Sequence, residues 1–343
     1  MQRILIVNVN WLGDVLFSTP AIRAIKKQYP KAYLACMVVP RVKEVLENNP
    51  YIDELIIFDE KSTQRGMLAK LRFIFQLRKF KFDTAIILRS SLTRALICFF
   101  AGIKELIGYQ EKKQGFLLTK SLELADRDSV HRVDYFLNLL SLVGIQNIQE
   151  KYYDFVVTAD AEKYVADLLQ KENIQDKDLL IVAHVGANWG PKRWPAGNFA
   201  CFLNRAIGEL KARVILTGSE NDKLIAEEMA KLMQHKPLIW CGKTSLVQLG
   251  ALMQKAQVLV SADSGPLHLA SAVSKAKILA LFGPTLPRIT GPFLKDTDQL
   301  KVIQKEVVCQ RPCYVVHCKD NHCMQNITGD EVFEEIRGLV KKI

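Results

Sequence analysis

Two segments of the chain place small residues before a predicted helix start, a pattern that favours binding of phosphate groups, and the first of them adds two cations. Residues 186–195 read Gly-Ala-Asn-Trp-Gly-Pro-Lys-Arg-Trp-Pro, with the cations at Lys192 and Arg193. Residues 261–268 read Ser-Ala-Asp-Ser-Gly-Pro-Leu-His, with Pro266 where the first turn of a helix accepts proline. Amides at a helix start attract anions. The first segment therefore predicts a diphosphate site, and the second a contact to a phosphate or a ribose-linked oxygen.

Both segments also have a plainer interpretation. The pair Lys192-Arg193 could simply be solvated, but its setting between a strand and a helix favours anion binding. In the second segment the amides of Ser264 and Gly265 would point at the anion, and His268 could touch it from the first helical turn. A lone helical histidine is more often structural, but this one lies beside a predicted anion site.

A third candidate is the pair Gly13-Asp14, which follows the predicted first strand. Ligands of doubly wound sheets bind outside the carboxyl ends of the strands. There Gly13 would allow close backbone approach, and Asp14 would project a carboxylate. The alternative is an ordinary turn or helix cap, because Asp and Gly are common in loops. No Gly-x-Gly-x-x-Gly fingerprint follows a predicted strand, which argues against an NAD-linked oxidoreductase.

The elements that position these groups alternate between strands and helices. Continuous apolar runs are typical of buried parallel strands. Such runs lie at Arg3–Val9, Tyr33–Val39, Leu55–Phe58, Thr84–Leu88, Leu180–Val185, Arg213–Thr217, Val258–Ser261 and Ile278–Phe282. Predicted helices lie at Pro20–Gln28, Val42–Asn48, Met67–Phe80, Val130–Val143, Ala196–Leu210, Asp222–Met233, Leu246–Gln254 and Pro266–Ala272. The two series predict two doubly wound α/β domains, residues 1–158 and 159–327, followed by a capped helix at 328–343.

Composition adds a constraint on the partner. The 343 residues include 47 Lys+Arg against 36 Asp+Glu, a formal charge of +11, with 49% hydrophobic residues. This composition excludes disordered and fibrous classes. No uncharged apolar run has the length of a membrane span, and the N-terminus lacks a signal cleavage site, so we expect a soluble cytoplasmic protein. The charge excess predicts an anionic partner: nucleic acid, a phosphorylated substrate or a membrane surface.

The basic charge is concentrated in one segment. Lys61–Phe82 contains seven basic residues, no acidic ones and apolar residues at helical spacing. One interpretation is a helix packed on the sheet with a solvated basic face. The other is a basic amphipathic helix beside an anionic membrane. Both can hold at once.

Eight cysteines fall into two sets. Four are scattered among apolar residues and are expected to be buried. The others form a C-x3-C-x4-C-x4-C cluster at Cys309, Cys313, Cys318 and Cys323. Four converging thiols could hold a structural zinc, but this spacing is not the usual paired knuckle. A compact loop with reduced thiols is the preferred interpretation.

Taken in order, the motifs resemble glycosyltransferase family 9, especially the ADP-heptose–lipopolysaccharide heptosyltransferases of type II. The motifs that carry the resemblance are residues 13–14, 186–195, 263–268 and 282–285, together with the cysteine cluster. It implies a GT-B fold, in which two Rossmann-like domains face each other across a cleft. The acceptor would bind the N-terminal domain, the nucleotide sugar would bind the C-terminal domain, and the last helix would return toward the first domain. Val185 and Leu286 depart from the family pattern, which usually has Pro and often Asp there.

The resemblance also implies roles in an inverting transfer that needs no metal. Asp14 would be the general base, with Gly13 beside it on the acceptor side. Lys192 and the amides of Ser264 and Gly265 would stabilise the leaving ADP. The remaining residues implied to contact the donor are Gly186, Asn188, Glu220, Asp263 and His268.

The implied reaction moves a heptose from ADP-heptose to the inner core of lipopolysaccharide, the second heptose onto the first. Such an enzyme would work at the cytoplasmic face of the inner membrane and contact that membrane peripherally. One alternative is a family 9 enzyme with another donor or acceptor. A remote alternative is a basic nucleic-acid-binding protein, but the aromatic residues do not join the basic ones in any recognition motif.

Overall fold

The computed structural model describes residues 1–111, 115–123 and 126–340. The chain divides into two compact units, Met1–Phe155 and Val156–Ile343. Buried Arg23 on the first helix fixes the end of the first unit, because it donates to the carbonyls of Glu150 and Tyr152 and pairs with Asp154.

The first unit is built on a six-stranded sheet with the order β3-β2-β1-β4-β5-β6. Its strands are β1 Arg3–Val7, β2 Tyr33–Val38, β3 Glu54–Ile57, β4 Thr84–Ile87, β5 Glu105–Tyr109 and β6 Lys120–Leu122. Its α-helices are α1 Leu12–Gln28, α2 Lys43–Leu46, α3 Met67–Lys79, α4 Leu92–Phe100 and α5 Arg132–Asn138. All of these strand pairs are parallel, as the continuous apolar runs predict.

The second unit repeats the arrangement with the order β12-β11-β10-β7-β8-β9. Its strands are β7 Leu180–His184, β8 Arg213–Thr217, β9 Leu238–Ile239, β10 Val258–Ala262, β11 Lys277–Phe282 and β12 Leu300–Gln304. Its helices are α6 Ala159–Lys171, α7 Ala196–Leu210, α8 Lys223–Lys231, α9 Leu246–Lys255, α10 Gly265–Val273, α11 Pro287–Thr290, α12 His322–Gln325 and α13 Gly329–Val340. These strands are also parallel, so each unit is doubly wound, as predicted.

Strand order reverses at one place in each sheet. In the first unit the reversal lies between β1 and β4, and in the second between β7 and β10. The crevice at the carboxyl ends of such strands is the usual ligand site of a doubly wound sheet. Asp14 follows β1, Lys192 follows β7 and Asp263 follows β10. All three residues therefore come after strands that border a switch point.

Helix α1 begins at Leu12 rather than at the predicted Pro20. Pro20 lies inside the helix, where it cannot donate to the carbonyl of Leu16. The Thr19 hydroxyl donates to that carbonyl instead, at 2.8 Å. Asp14 consequently lies in the first helical turn, where a carboxylate is favoured by the helix dipole.

The segment predicted as one helix at Val130–Val143 is divided. Helix α5 ends at Asn138, and a 3-10 helix continues over Leu139–Val143 to Gly144, whose φ of 77° ends it. The continuous apolar pattern does not distinguish the two helix types, because both bury one face. None of the helices in the described part of the chain has the length and apolar composition that crossing a bilayer requires.

The C-terminal helix α13 packs in the second unit. Val332, Phe333 and Ile336 are fully buried in the same core as residues of α7. Thr328 caps the helix by accepting from the Glu331 amide at 3.2 Å, as the sequence predicts. That this helix also returns toward the first domain stays a prediction.

Candidate functional site

The predicted anion site of the second unit is organised by one buried carboxylate, Asp263. Its side chain is 3% exposed at the carboxyl end of β10. Lys192 Nζ lies 2.6 Å from Asp263 Oδ2, to which the hydroxyls of Thr285 and Thr290 donate at 2.6 and 3.1 Å. His268 Nε2 lies 3.5 Å from Oδ1. Asp263 thus joins side chains from the segments after β7, β10 and β11.

These partners keep Asp263 ionised. Burial opposes the charged form, but the hydrogen bond with His268 and the charge of Lys192 outweigh it and hold the pKa of Asp263 well below its usual range. Lys192 is less buried, with a side chain 19% exposed. The result is a fixed anion behind a partly accessible Lys192 ammonium, which can donate to a phosphate oxygen.

The start of α10 lies next to this ion pair. Ser264 has the extended backbone of an N-cap residue, and its hydroxyl lies 3.1 Å from the Ser261 hydroxyl instead of capping the helix. Pro266 occupies the first turn, as predicted. The helix therefore begins beside Asp263 with amide donors at Ser264 and Gly265, the two that the sequence predicts for anion binding.

Gly186 has a packing role that the sequence does not reveal. A Cβ atom at Gly186 would lie 2.5 Å from Asp222 Oδ2. The Asp222 carboxylate also accepts from the amide and hydroxyl of Ser219, at 2.9 and 2.6 Å, and Arg193 lies 3.7 Å away. The glycine therefore allows the loops after β7 and β8 to approach each other. Its predicted contact with the donor stays a prediction.

We expect Gly186→Ala to destabilise the protein by about 1–3 kcal/mol, because the new methyl group would displace the held Asp222 carboxylate. Urea unfolding followed by tryptophan fluorescence measures the change. Gly190→Ala is the matched control in the same loop, since no heavy atom outside its immediate neighbours lies within 4 Å of the added Cβ. Equal midpoints for the two variants would contradict this account.

Two further predicted residues lie at the rim of the second sheet. Asn188 is exposed in the loop after β7. Glu220 opens the 3-10 turn after β8, with its side chain 72% exposed. The Glu220 carboxylate lies over Gly242, where a Cβ would be 1.9 Å from Oε2 and where φ is 75°. Their predicted contacts with the nucleotide stay predictions.

His184, the last residue of β7, is a buried polar group that lies outside the motifs predicted from the sequence. Its Nδ1 atom lies 3.2 Å from the Thr217 hydroxyl at the end of β8. Burial lowers the pKa of His184 to about 4, so the ring is neutral near pH 7. The signal in the sequence is a histidine that ends an otherwise apolar strand.

The cysteine-rich segment lies against the same rim. The Cys313 amide donates to the Pro284 carbonyl at 2.8 Å, and Asn321 Nδ2 donates to the Arg193 carbonyl at 3.4 Å. The Tyr314 ring stacks on Trp189, with centroids 6.4 Å apart. The segment thereby supports the loops that carry Lys192 and Thr285.

The cysteines themselves show no metal arrangement. Cys309, Cys313, Cys318 and Cys323 are free thiols. Among the residues that the structure describes, no group of three or more His, Cys, Asp or Glu side chains is placed to hold a metal ion. The structure therefore gives no support to a zinc site at these four positions.

In the first unit, Asp14 stands near an arginine-rich edge. The loop from Asn8 to Trp11 that precedes it is held by Arg94, which donates to the Asn8 carbonyl and to Asn10 Oδ1. Arg41 donates to the Asn10 carbonyl at 2.7 Å, and its guanidinium lies 3.8 Å from the centroid of the Trp11 ring. Two arginines thus hold the loop that leads into α1, the helix that carries Asp14 in its first turn.

Known proteins share this organisation. The family model described as glycosyltransferase family 9 (heptosyltransferase) matches residues 70–319. Lipooligosaccharide heptosyltransferase 2 of Haemophilus ducreyi is 27% identical over 352 aligned positions, covering 99% of each chain.

Solved structures agree. A glycosyl transferase of family 9 from Veillonella parvula superposes with a TM-score of 0.90 at 22% identity, over 100% of this chain and 98% of its own. E. coli ADP-heptose lps heptosyltransferase II gives a TM-score of 0.81 at 23% identity, over 100% and 99%. These likenesses confirm the expected GT-B fold class. With two Rossmann-like units and a family match over most of its length, the chain belongs to glycosyltransferase family 9, the heptosyltransferases.

Proposed function

We propose that this glycosyltransferase moves a heptose from ADP-heptose to the inner core of lipopolysaccharide, adding the second heptose to the first. The observation that carries the proposal is the Lys192–Asp263 pair at the switch point of the second sheet, beside the start of α10. The relatives named lipooligosaccharide or lipopolysaccharide heptosyltransferase 2 support the choice of donor and acceptor.

The second unit would bind the donor and stabilise the leaving group. As the bond between the anomeric carbon and the diphosphate breaks, negative charge grows on the phosphate oxygens. Lys192 and the amides of Ser264 and Gly265 would neutralise that charge by charge-assisted hydrogen bonds. Asp263 would hold the Lys192 ammonium in place beforehand, so little reorganisation is needed during reaction.

The first unit would activate the acceptor. In an inverting single displacement, the acceptor hydroxyl oxygen bonds to the anomeric carbon while the bond to ADP breaks. The hydroxyl proton would pass to the Asp14 carboxylate, which acts as general base. Gly13 would let the acceptor approach the start of α1, and the nearby Arg41 suits an acidic or phosphorylated glycan.

The experiment that tests this function compares two defined lipopolysaccharide cores, one ending in Kdo and one ending in Kdo-heptose. ADP release and the mass of the product are measured with ADP-heptose as donor. We expect transfer to the Kdo-heptose core and little to the Kdo core. Transfer to neither core, with release of nucleotide from another nucleotide sugar, would replace this proposal with the other-donor alternative.

The proposed acceptor is a lipid-anchored glycan, so the enzyme would work at the cytoplasmic face of the inner membrane and contact it peripherally. The basic residues of Lys61–Phe82 support such a contact.

A further inference from the structure

Helices α3 and α4 expose an unusual number of large apolar side chains. Met67, Leu68 and Phe75 are 74%, 72% and 60% exposed, and Phe99 and Phe100 are each 52% exposed. Single exposed hydrophobic residues are ordinary, but a group on two neighbouring helices marks an interaction site.

Helix α3 has a second apolar face that points away from the core of its own unit. On the face of α3 that packs on the first sheet, Phe73, Ile74 and Leu77 are buried in the core. The exposed residues Met67, Leu71 and Phe75 recur at intervals of four and so share another face of the same helix. The helix is therefore apolar on two faces, and within the described residues only one of them is buried.

Helix α4 continues this surface. Arg78 Nε donates to the Phe100 carbonyl at 2.9 Å, and the Arg78 guanidinium lies 5.6 Å from the centroid of the Phe75 ring. The Phe99 and Phe100 rings meet edge to face, 5.5 Å apart. We call this continuous region the α3–α4 surface, which comprises Met67, Leu68, Leu71, Phe75, Phe99 and Phe100 with the cations Arg72, Arg78 and Lys79.

The charges of the α3–α4 surface all have one sign. Lys61–Phe82 contains seven basic and no acidic residues, and Leu92–Phe100 adds no acidic residue. Arg72, Arg78 and Lys79 are exposed next to the apolar side chains. Pairing this surface with a second copy of itself would set cations against cations. An anionic bilayer is complementary to this surface, because its phosphate groups form an anionic layer above the apolar layer of the acyl chains.

We propose that the α3–α4 surface is a docking surface for a bilayer that contains anionic phospholipid. The apolar side chains enter the boundary between headgroups and acyl chains, while Arg72 and Lys79 contact lipid phosphates. The inference rests on the proposed function in one respect: docking would bring the first unit to an acceptor that is anchored in that bilayer.

Vesicle co-sedimentation tests the surface directly. The probes are vesicles of phosphatidylethanolamine with phosphatidylglycerol, and vesicles of phosphatidylcholine alone. We expect the wild-type chain to bind the anionic vesicles and to be released by salt. The double variant Leu68→Ser, Phe75→Ser should bind at least tenfold more weakly. The variant Arg72→Gln, Lys79→Gln should lose about 10- to 30-fold, because each surface cation contributes about fivefold.

The matched control places the same change elsewhere. Leu224 and Leu232 of the second unit are 70% and 60% exposed, so Leu224→Ser, Leu232→Ser removes comparable apolar area outside the surface. The control should bind vesicles like the wild type, and circular dichroism should show all variants folded. Wild-type-like vesicle binding by the Leu68→Ser, Phe75→Ser variant would overturn the proposal.

Turnover separates this proposal from the proposed function. The Leu68→Ser, Phe75→Ser variant should lose transfer to an acceptor embedded in vesicles but keep transfer to the same core freed of its acyl chains. If the wild-type chain binds vesicles yet transfers heptose to neither acceptor, the function is wrong and the docking surface stands. Equal losses on both acceptors would contradict the docking role.

Discussion

Asp14→Asn is expected to reduce heptose transfer by more than about 100-fold, because an amide cannot take the proton of the acceptor hydroxyl. The substitution keeps the size of the side chain in the first turn of α1. The predicted donor residues belong to the second unit, so the affinity for ADP should stay within about twofold of the wild type. Single-turnover rates and calorimetric titration with ADP measure the two quantities separately.

A control for Asp14→Asn exists at another helix start. Asp160 is exposed in the first turn of α6, and Asp160→Asn makes the same chemical change there. It should leave transfer unchanged. If Asp14→Asn retained more than about a tenth of wild-type turnover, Asp14 would not be the base. Parallel losses of ADP affinity and turnover would point to a structural effect instead.

Asp263→Ala is expected to cost about 3–5 kcal/mol of folding free energy, because Lys192 would lose the partner that balances its charge. The hydroxyls of Thr285 and Thr290 would lose their acceptor as well. Urea unfolding followed by tryptophan fluorescence reports on the loss, since Trp194 and Trp240 are buried in the second unit.

A double variant tests whether the cost comes from the unbalanced charge. Lys192→Met, Asp263→Asn removes both charges and should be more stable than Asp263→Asn alone. It should still fail to bind ADP as tightly as the wild type, because the cation for the diphosphate is gone. If the double variant were less stable than the single one, the charge argument would be wrong.

The pH dependence of this contribution has a definite sign. The pKa of Asp263 is lowered by folding, so its contribution is fully present above the ordinary Asp value of about 3.9. It is lost as the pH falls from there through the lowered folded-state pKa. The stability difference between wild type and Asp263→Asn should shrink as the pH falls below about 4. If the stability difference between wild type and Asp263→Asn grew as the pH fell below about 4, the stabilising role of the ionised Asp263 would be refuted.

Much of the fold could be predicted because parallel strands buried on both faces are continuous apolar runs. Arg213–Thr217 and Ala196–Leu210 have the bounds that the sequence predicts. The apolar pattern predicts neither β12 nor β6, because their burial is partial and their polar residues interrupt the run. The start of α1 was misplaced because proline usually marks a first turn, whereas the Thr19 hydroxyl compensates for Pro20 inside the helix.

The candidate site was predictable only in part, because some of its contacts join residues that no local sequence pattern connects. The strand-end rule placed Lys192 and Asp263 at one edge, although they are 71 positions apart in the sequence. Thr290 could not be found that way, because it reaches Asp263 from α11, a short helix after the β11 loop. The role of Gly186 depends on Asp222 from the neighbouring β8 loop, which local sequence does not show.

The position of α13 has a consequence for synthesis of the chain. Phe333 and Ile336 complete a core whose other members include Phe199 and Phe202 of α7, made more than a hundred residues earlier. On the ribosome, the first unit has all its strands before the second unit is translated and can fold as translation proceeds. The second unit cannot complete its core until α13 has been synthesised, and until then the face of α7 that packs against α13 is uncovered. A ribosome stalled before residue 329 would therefore hold a folded first unit and an open second one, a state in which chaperones have most to protect.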